Sequence, residues 1–162
     1  MFKKRPTVQW MTTGAMIAAL YVVLTVVANA LGLSSGVIQL RFSEALTVLP
    51  VFTASAIPGV SVGCLLANLL TGCTPWDVVF GSVATLIGAV GTYLLRRHRV
   101  LAVLPPIVSN TVIVPFVLRY AYDAPGSIPY LMLTVGTGEV LSCGVLGLGL
   151  AKLLEPYRAQ LF

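Results

Sequence analysis

Two charged residues, Arg41 and Glu44, lie three positions apart in the segment IQLRFSEALTVLPVF, which is otherwise almost wholly apolar. A charge in apolar surroundings is costly unless it is paired or binds a partner. Residues three apart share one face of a helix, so a local ion pair is one interpretation. In the other interpretation, Glu44 lines a polar pocket and Arg41 orients it.

Four further polar residues interrupt apolar runs. Glu139 has no charged neighbour in the sequence, so we expect it to face other helices, either as a structural partner for a donor such as Arg41 or as a ligand contact. Asn68 and Asn110 suit interhelical hydrogen bonds as well as a ligand. Asp77 follows a Pro-Trp pair, which also fits a helix cap. The candidate binding residues are Glu139, Glu44, Asn68, Asn110, Arg41 and Asp77.

These side chains favour a particular ligand chemistry. Carboxylates accept hydrogen bonds, and side-chain amides both donate and accept. A planar ligand with N–H donors and carbonyl acceptors, such as a guanine-like edge, matches that set. The residue types alone permit an amino acid, a vitamin or a cation equally.

Several kinds of chemistry find no support in the sequence. His98 is the only histidine, and Cys64, Cys73 and Cys143 lack metal-ligand spacing. No GxxxxGK[ST] phosphate loop occurs, so the chain does not hydrolyse ATP by that route. We therefore expect no enzymatic activity, no cofactor and no bound metal. The basic residues cluster at apparent membrane boundaries, which argues against nucleic acid as a partner.

The composition identifies the class of protein that must position these residues. Hydrophobic residues make up 57% of the chain and charged residues 9%, and the mean hydropathy is +0.96. A soluble domain has about 25% charged residues. The apolar runs are long and continuous, as in membrane helices, and do not alternate as in a membrane barrel. We predict a single all-α integral membrane domain over residues 1–162.

The apolar runs predict six membrane-spanning helices. A hairpin at Pro58-Gly59 is required by charge, because cytoplasmic loops carry the excess of Lys and Arg. With six spans and an inside N-terminus, eight basic residues lie inside and only Arg41 and Arg119 lie outside; the eight are Lys3, Lys4, Arg5, Arg96, Arg97, Arg99, Lys152 and Arg158. Both termini are then cytoplasmic. The predicted helices are 8–31, 37–57, 58–74, 78–95, 101–120 and 128–154.

Small residues at four-residue spacing predict where helices approach closely. The first helix contains two such pairs, Gly14 with Ala18 and Ala15 with Ala19. Each pair has two interpretations at this point: it packs against another helix of this chain, or it contacts a partner protein.

Four ordered segments resemble the QueT family: IQLRFSEALTVLPVFTASAIPG, GCLLANLLTG, DVVFGSVATLIGA and LPPIVSN. The resemblance covers roughly residues 10–154. These proteins are substrate-binding S components of energy-coupling factor (ECF) transporters, a class of ABC importer. The resemblance implies the six-helix S-component fold and uptake of a queuosine precursor, such as queuine or a related 7-deazaguanine, across the plasma membrane of a prokaryote.

The resemblance also implies partners and a mechanism. An S component docks on a transmembrane coupling protein and two ATPase subunits, and it topples in the bilayer to carry its site inward. The Ala-x-x-x-Ala motif of the first helix in such proteins matches Ala15 and Ala19, which favours a partner-facing role for that pair. Arg41, Glu44, Asn68, Asp77 and Asn110 lie in the matching segments, whereas Glu139 is a candidate on the burial argument alone.

Three alternatives stay open at this point. In the first, the chain is an S component for another vitamin or an amino acid. In the second, it is a structural or regulatory membrane subunit without its own ligand. In the third, it is a self-sufficient secondary transporter. Inverted repeats are common in the last class, and no convincing repeat is present here.

Overall fold

Long apolar stretches form the helices of the bundle. The computed structural model describes residues 7–33 and 40–161, and the regular structure within those residues is entirely helical. This confirms the predicted all-α membrane fold with six helical segments, whereas the side of the membrane on which the termini lie stays a prediction. Four segments are long and apolar enough to cross a membrane: Thr7–Ala30, Pro75–Leu94, Arg99–Ala121 and Ile128–Tyr157. Two shorter apolar helices complete the six: Phe42–Val51 and Ala56–Leu70.

The last two long segments each contain more than one element. The α-helices are α1 (Thr7–Ala30), α2 (Ala56–Leu70), α3 (Pro75–Leu94), α4 (Arg99–Ala102), α5 (Leu104–Ala121), α6 (Ile128–Glu139), α7 (Gly147–Leu154) and α8 (Arg158–Leu161). A 3₁₀ helix, Phe42–Val51, lies between α1 and α2, and a π-helix, Val140–Leu146, joins α6 to α7. A short 3₁₀ turn, Glu155–Tyr157, follows α7.

Glycines allow α1 and α2 to pack backbone against backbone. A Cβ atom added to Gly59 would lie 2.8 Å from the Gly14 carbonyl oxygen, and one added to Gly63 would lie 2.7 Å from Cβ of Tyr21. Gly14 and Ala18 are both buried in this contact. This pair therefore packs within the chain, whereas Ala15 and Ala19 are exposed on the other face of α1.

A similar close approach joins α3 to α5. A Cβ atom on Gly88 would lie 2.6 Å from Cα of Pro106. Pro105 and Pro106 stand in the first turn of α5, where a missing N–H costs nothing. The outward faces of α1 and α3 carry exposed apolar side chains such as Met11 and Ile87, as lipid contact requires.

The second segment differs most from its prediction. We predicted a span over 37–57, of which residues 37–39 lie outside the described residues. The helix seen begins at Phe42, ends at Val51 and has 3₁₀ geometry, so its ten residues rise about 20 Å, less than the roughly 30 Å of a bilayer core. Every residue from Ser43 to Val51 is buried. Such non-α backbone is tolerated at membrane depth where protein surrounds it.

Local chemistry helps to explain this geometry. Pro50 lacks the N–H that an α-helical hydrogen bond would need. The Thr47 hydroxyl donates to the Glu44 carbonyl oxygen at 2.6 Å. This carbonyl therefore has a hydrogen-bond partner three residues further along the chain. The predicted fifth span, 101–120, is also interrupted, because α4 ends at Ala102 and α5 begins at Leu104.

Candidate functional site

Glu44 is the most deeply buried charged residue described, with 1% of its surface exposed. The Tyr21 hydroxyl of α1 donates a short hydrogen bond to Glu44 Oε1. The Asn110 side-chain amide of α5 donates to Oε2 at 3.5 Å. Two other helices, α1 and α5, therefore hold this carboxylate, which lies in the first turn of the 3₁₀ helix.

Glu139 lies next to Glu44 although 95 positions separate them in the sequence. It is the last residue of α6 and is 8% exposed. Carboxylate oxygens of Glu44 and Glu139 and the Cys143 sulfur all lie within 4.8 Å of one another. The Cys143 thiol donates to Glu139 Oε2 at 3.2 Å. The structure thus unites three of the six candidate residues, Glu44, Glu139 and Asn110, in one buried polar cluster, which we call the carboxylate cluster.

The 3₁₀ helix and the π-helix meet at this cluster. The Arg41 backbone N–H donates to the Ser142 hydroxyl at 3.3 Å. Thr47 Oγ1 lies 3.4 Å from the Cys143 sulfur, and that sulfur lies 3.5 Å from the Glu44 carbonyl oxygen. π-Helical turns occur frequently at functional sites. The 3₁₀ helix therefore carries Glu44, the π-helix begins directly after Glu139, and their contact holds the two carboxylates close together.

Tyr21 is a site residue that the sequence reasoning missed. Gly14, Ala18, Tyr21 and Thr25 follow helical spacing and are all buried on one face of α1. Thr25 extends this polar lining, because its hydroxyl donates to the Ser43 hydroxyl at 2.8 Å. The sequence signal that could have revealed Tyr21 was the pair Gly14 and Ala18. The helix face that these two residues share continues along α1 to Tyr21.

Asn68 and Asp77 form a separate polar group where α2 meets α3. The Asn68 side-chain amide donates to the Asp77 backbone carbonyl oxygen at 3.2 Å. The Tyr122 hydroxyl donates to Asp77 Oδ2 at 3.0 Å. Partial burial raises the pKa of Tyr122 to about 12, so the phenol keeps the proton that it donates.

The helix cap expected near Asp77 is supplied by another residue. Thr74 is the N-cap of α3, and its hydroxyl accepts a hydrogen bond from the Asp77 N–H at 3.4 Å. Asp77 occupies the first turn, where the helix dipole favours a negative charge. This geometry accounts for Asp77 structurally, without a ligand.

Arg41 acts at longer range than a contact ion pair. Its guanidinium lies more than 4.0 Å from both oxygens of Glu44, and the ion pair present within residues 7–33 and 40–161 joins Arg99 to Glu155 at 2.5 Å. Arg41 is partly buried, and the charges of Asp77 and Glu44 both act on it. The simple i, i+3 ion pair is therefore not what the structure contains.

The carboxylate cluster also has donor types that a divalent metal ion accepts. Glu44, Glu139 and Cys143 offer two carboxylates and a sulfur. A metal-bound cysteine is a thiolate, whereas Cys143 here acts as a hydrogen-bond donor to Glu139. The arrangement described is that of a hydrogen-bonded cluster.

The helices also form two apolar grooves. One, of about 630 Å³, runs between α3 and α5 beside Trp76, Phe80 and Phe116. The other, of about 490 Å³, lies between α5 and the segment from α6 to the π-helix. Their linings are almost wholly apolar, which suits lipid tails. The polar cluster itself is closed to solvent in this conformation.

Comparison with known proteins assigns the family. The family model described as "QueT transporter" matches residues 11–156. The chain belongs to the QueT transporter family. It is accordingly a multi-pass membrane protein of a prokaryote, from a family of transporters rather than of enzymes.

One curated relative extends this result. The "Queuosine precursor transporter QueT" of Lactococcus lactis subsp. cremoris (strain MG1363) is 39% identical over 88 residues. The match covers 54% of this chain and 52% of that protein, so the chain spans about half the length of the curated relative. No solved structure matches the chain significantly.

Proposed function

We propose that this chain is the substrate-binding S component of an ECF-type ABC importer and that it captures a queuosine precursor, queuine or a related 7-deazaguanine, outside the cell. Membership of the QueT transporter family supports transport. The ligand class is supported by the name of the L. lactis relative.

The observation that carries this proposal is the carboxylate cluster. Glu44 and Glu139 lie within 4.8 Å of each other in the protein interior. Charges inside a membrane are expensive, and they persist where they pair, line a cavity or bind something. A purely structural role would be served best by a basic partner in contact, and neither carboxylate has one within 4.0 Å among residues 7–33 and 40–161.

The ligand's edge complements the cluster. A 7-deazaguanine presents a ring N–H and an exocyclic amine side by side, and a carboxylate accepts from both at once. Glu44 is held for this task by Tyr21 and Asn110. Asn110 also offers an amide oxygen and a second N–H. Arg41 supports the site through its charge, and Asn68 and Asp77 brace α2 against α3 beside it.

Delivery of the ligand requires partners. Ala15 and Ala19 are exposed on α1, on another side from the face that packs on α2, and small side chains suit close docking of a transmembrane coupling protein. In this proposal both termini are cytoplasmic, two ATPase subunits drive the coupling protein, and toppling moves the carboxylate cluster from the outer to the inner side.

Binding by the purified full-length protein in lipid nanodiscs tests the proposal. We expect saturable binding of 7-aminomethyl-7-deazaguanine by isothermal titration, and at least tenfold weaker binding by Glu44→Gln, since a hydrogen bond to a charged group contributes about 1.5–3 kcal/mol. Glu155→Gln is the matched control, because Glu155 pairs with Arg99 away from the cluster, and it should bind like the parent chain. Absence of binding by queuine and 7-aminomethyl-7-deazaguanine would refute the substrate class.

A further inference from the structure

The interior of this protein contains more acidic than basic side chains. Among the described residues, three carboxylates are buried, those of Glu44, Asp77 and Glu139. No lysine or arginine of residues 7–33 and 40–161 is classed as buried; Arg41 and Arg96 are partly buried. Neither Glu44 nor Glu139 has a basic side chain within 4.0 Å among those residues.

Glu139 has weaker hydrogen-bond donors than Glu44. Glu44 receives the Tyr21 hydroxyl on one oxygen and the Asn110 amide on the other. Glu139 receives the Cys143 thiol, which is a weak donor. A buried carboxylate whose hydrogen-bond donor is this weak would be stabilised by a stronger donor.

Glu139 is also the more accessible of the two carboxylates. Its surface is 8% exposed, against 1% for Glu44. It ends α6 where the backbone passes into the π-helix. A ligand seated with its N–H edge on Glu44 would bring a substituent within reach of Glu139, since the two carboxylates are less than 5 Å apart.

From this geometry we propose that the site selects a cationic ligand: Glu44 and Asn110 bind the N–H edge of the deazapurine, and Glu139 binds a protonated amine on its side chain. The inference rests on the proposed function and narrows it. Compounds with an aminomethyl group qualify, whereas the nitrile analogue of the same ring, which is neutral, does not. One cationic amine supplies the basic partner that the cluster lacks within 4.0 Å among residues 7–33 and 40–161.

Ligand pairs that differ only in this group provide the test. The full-length protein in nanodiscs is titrated with 7-aminomethyl-7-deazaguanine, 7-cyano-7-deazaguanine and guanine. We expect the amine to bind about 10- to 100-fold more tightly than the nitrile, which corresponds to a charge-assisted hydrogen bond of about 1.5–3 kcal/mol. This comparison uses the unaltered chain, so it does not depend on the folding of any variant.

Substitutions then assign the amine to one carboxylate. In Glu139→Gln the preference for the amine over the nitrile should fall to about threefold or less. In Glu44→Gln both ligands should weaken together. Glu155→Gln is again the control.

The outcomes separate the inference from the function on which it rests. Equal affinity of the unaltered chain for amine and nitrile overturns the cationic-ligand inference and leaves a deazaguanine carrier in place. An unchanged preference in a folded Glu139→Gln protein overturns the role of Glu139. If none of the three compounds, nor queuine, binds the unaltered chain, the proposed function fails and the inference fails with it.

Discussion

The phenolic hydroxyl of Tyr21 donates to the carboxylate of Glu44, so α1 holds the charged residue of the 3₁₀ helix from 23 positions away in the sequence. Tyr21 lies on the face of α1 that packs on α2, and its Cβ lies where a side chain at Gly63 would stand. Ala15 and Ala19 lie on another, exposed side of the same helix. A single helix thus connects the proposed docking surface to the proposed ligand site.

Removal of the Tyr21 hydroxyl should destabilise the protein. Tyr21→Phe leaves a buried carboxylate without one of its donors, which costs about 1–3 kcal/mol. We expect the Tm to fall by several degrees and binding of 7-aminomethyl-7-deazaguanine to weaken with it. Thermal unfolding in detergent measures the first effect. Tyr120→Phe is the control because Tyr120 is 75% exposed, and an equal loss in both variants would contradict the role assigned to Tyr21.

Close packing of α1 on α2 should make Gly63 intolerant of a side chain. Gly63→Ala places a Cβ atom 2.7 Å from that of Tyr21, and such overpacking costs about 1–3 kcal/mol. The same change at Gly149, where nothing lies within 4 Å, should stabilise the helix by about 0.5–1 kcal/mol. Unfolding in a denaturant compares the two variants. A Gly63→Ala protein as stable as the parent chain would contradict this prediction, since it would show that α1 and α2 can move apart without loss of stability.

Bulky residues at Ala15 and Ala19 should abolish transport without harming ligand binding. Both side chains are exposed, so Ala15→Trp and Ala19→Trp should fold and bind like the parent chain while losing copurification with the coupling protein. Leu20→Trp, at an exposed position on another side of α1, is the control and should keep the partner. Retained copurification of all three variants would remove α1 from the docking surface.

The predicted topology places the α5–α6 loop outside and the α3–α4 loop inside. In a Cys73→Ser background the remaining cysteines, Cys64 and Cys143, are buried. A cysteine at Asp123 should then react with a membrane-impermeant maleimide in whole cells. A cysteine at Arg97 should react only after permeabilisation. The reverse pattern would invert the orientation and put the ligand entrance on the cytoplasmic side.

The sequence predicted the helical segments because a membrane helix has a strong local signature, a long run of apolar residues. It overestimated the length of the second segment, since a continuous apolar run does not distinguish a spanning α-helix from a short 3₁₀ helix that other helices enclose. The sequence also showed that Gly14 and Ala18 could pack closely against another helix. No local feature of the sequence distinguished this buried pair from the exposed pair Ala15 and Ala19.

The candidate site was predictable residue by residue but not as an arrangement. A lone charge in an apolar run is conspicuous, which is why Glu44 and Glu139 were both selected. Their proximity depends on how the 3₁₀ helix meets the π-helix, a tertiary contact with no signature in either segment. Tyr21 was missed because a tyrosine in a membrane helix is unremarkable until its hydroxyl is given a partner.

The distance in sequence between the two non-α helices has a consequence for how the protein is made. Thr47 and Cys143, which touch where these helices meet, are 96 positions apart, so the ribosome delivers the first to the membrane well before the second. Tyr21 is already part of the chain when Glu44 is synthesised, whereas Asn110 and Glu139 follow in that order. A chain that stops before α6 would therefore hold Glu44 in an incomplete membrane site.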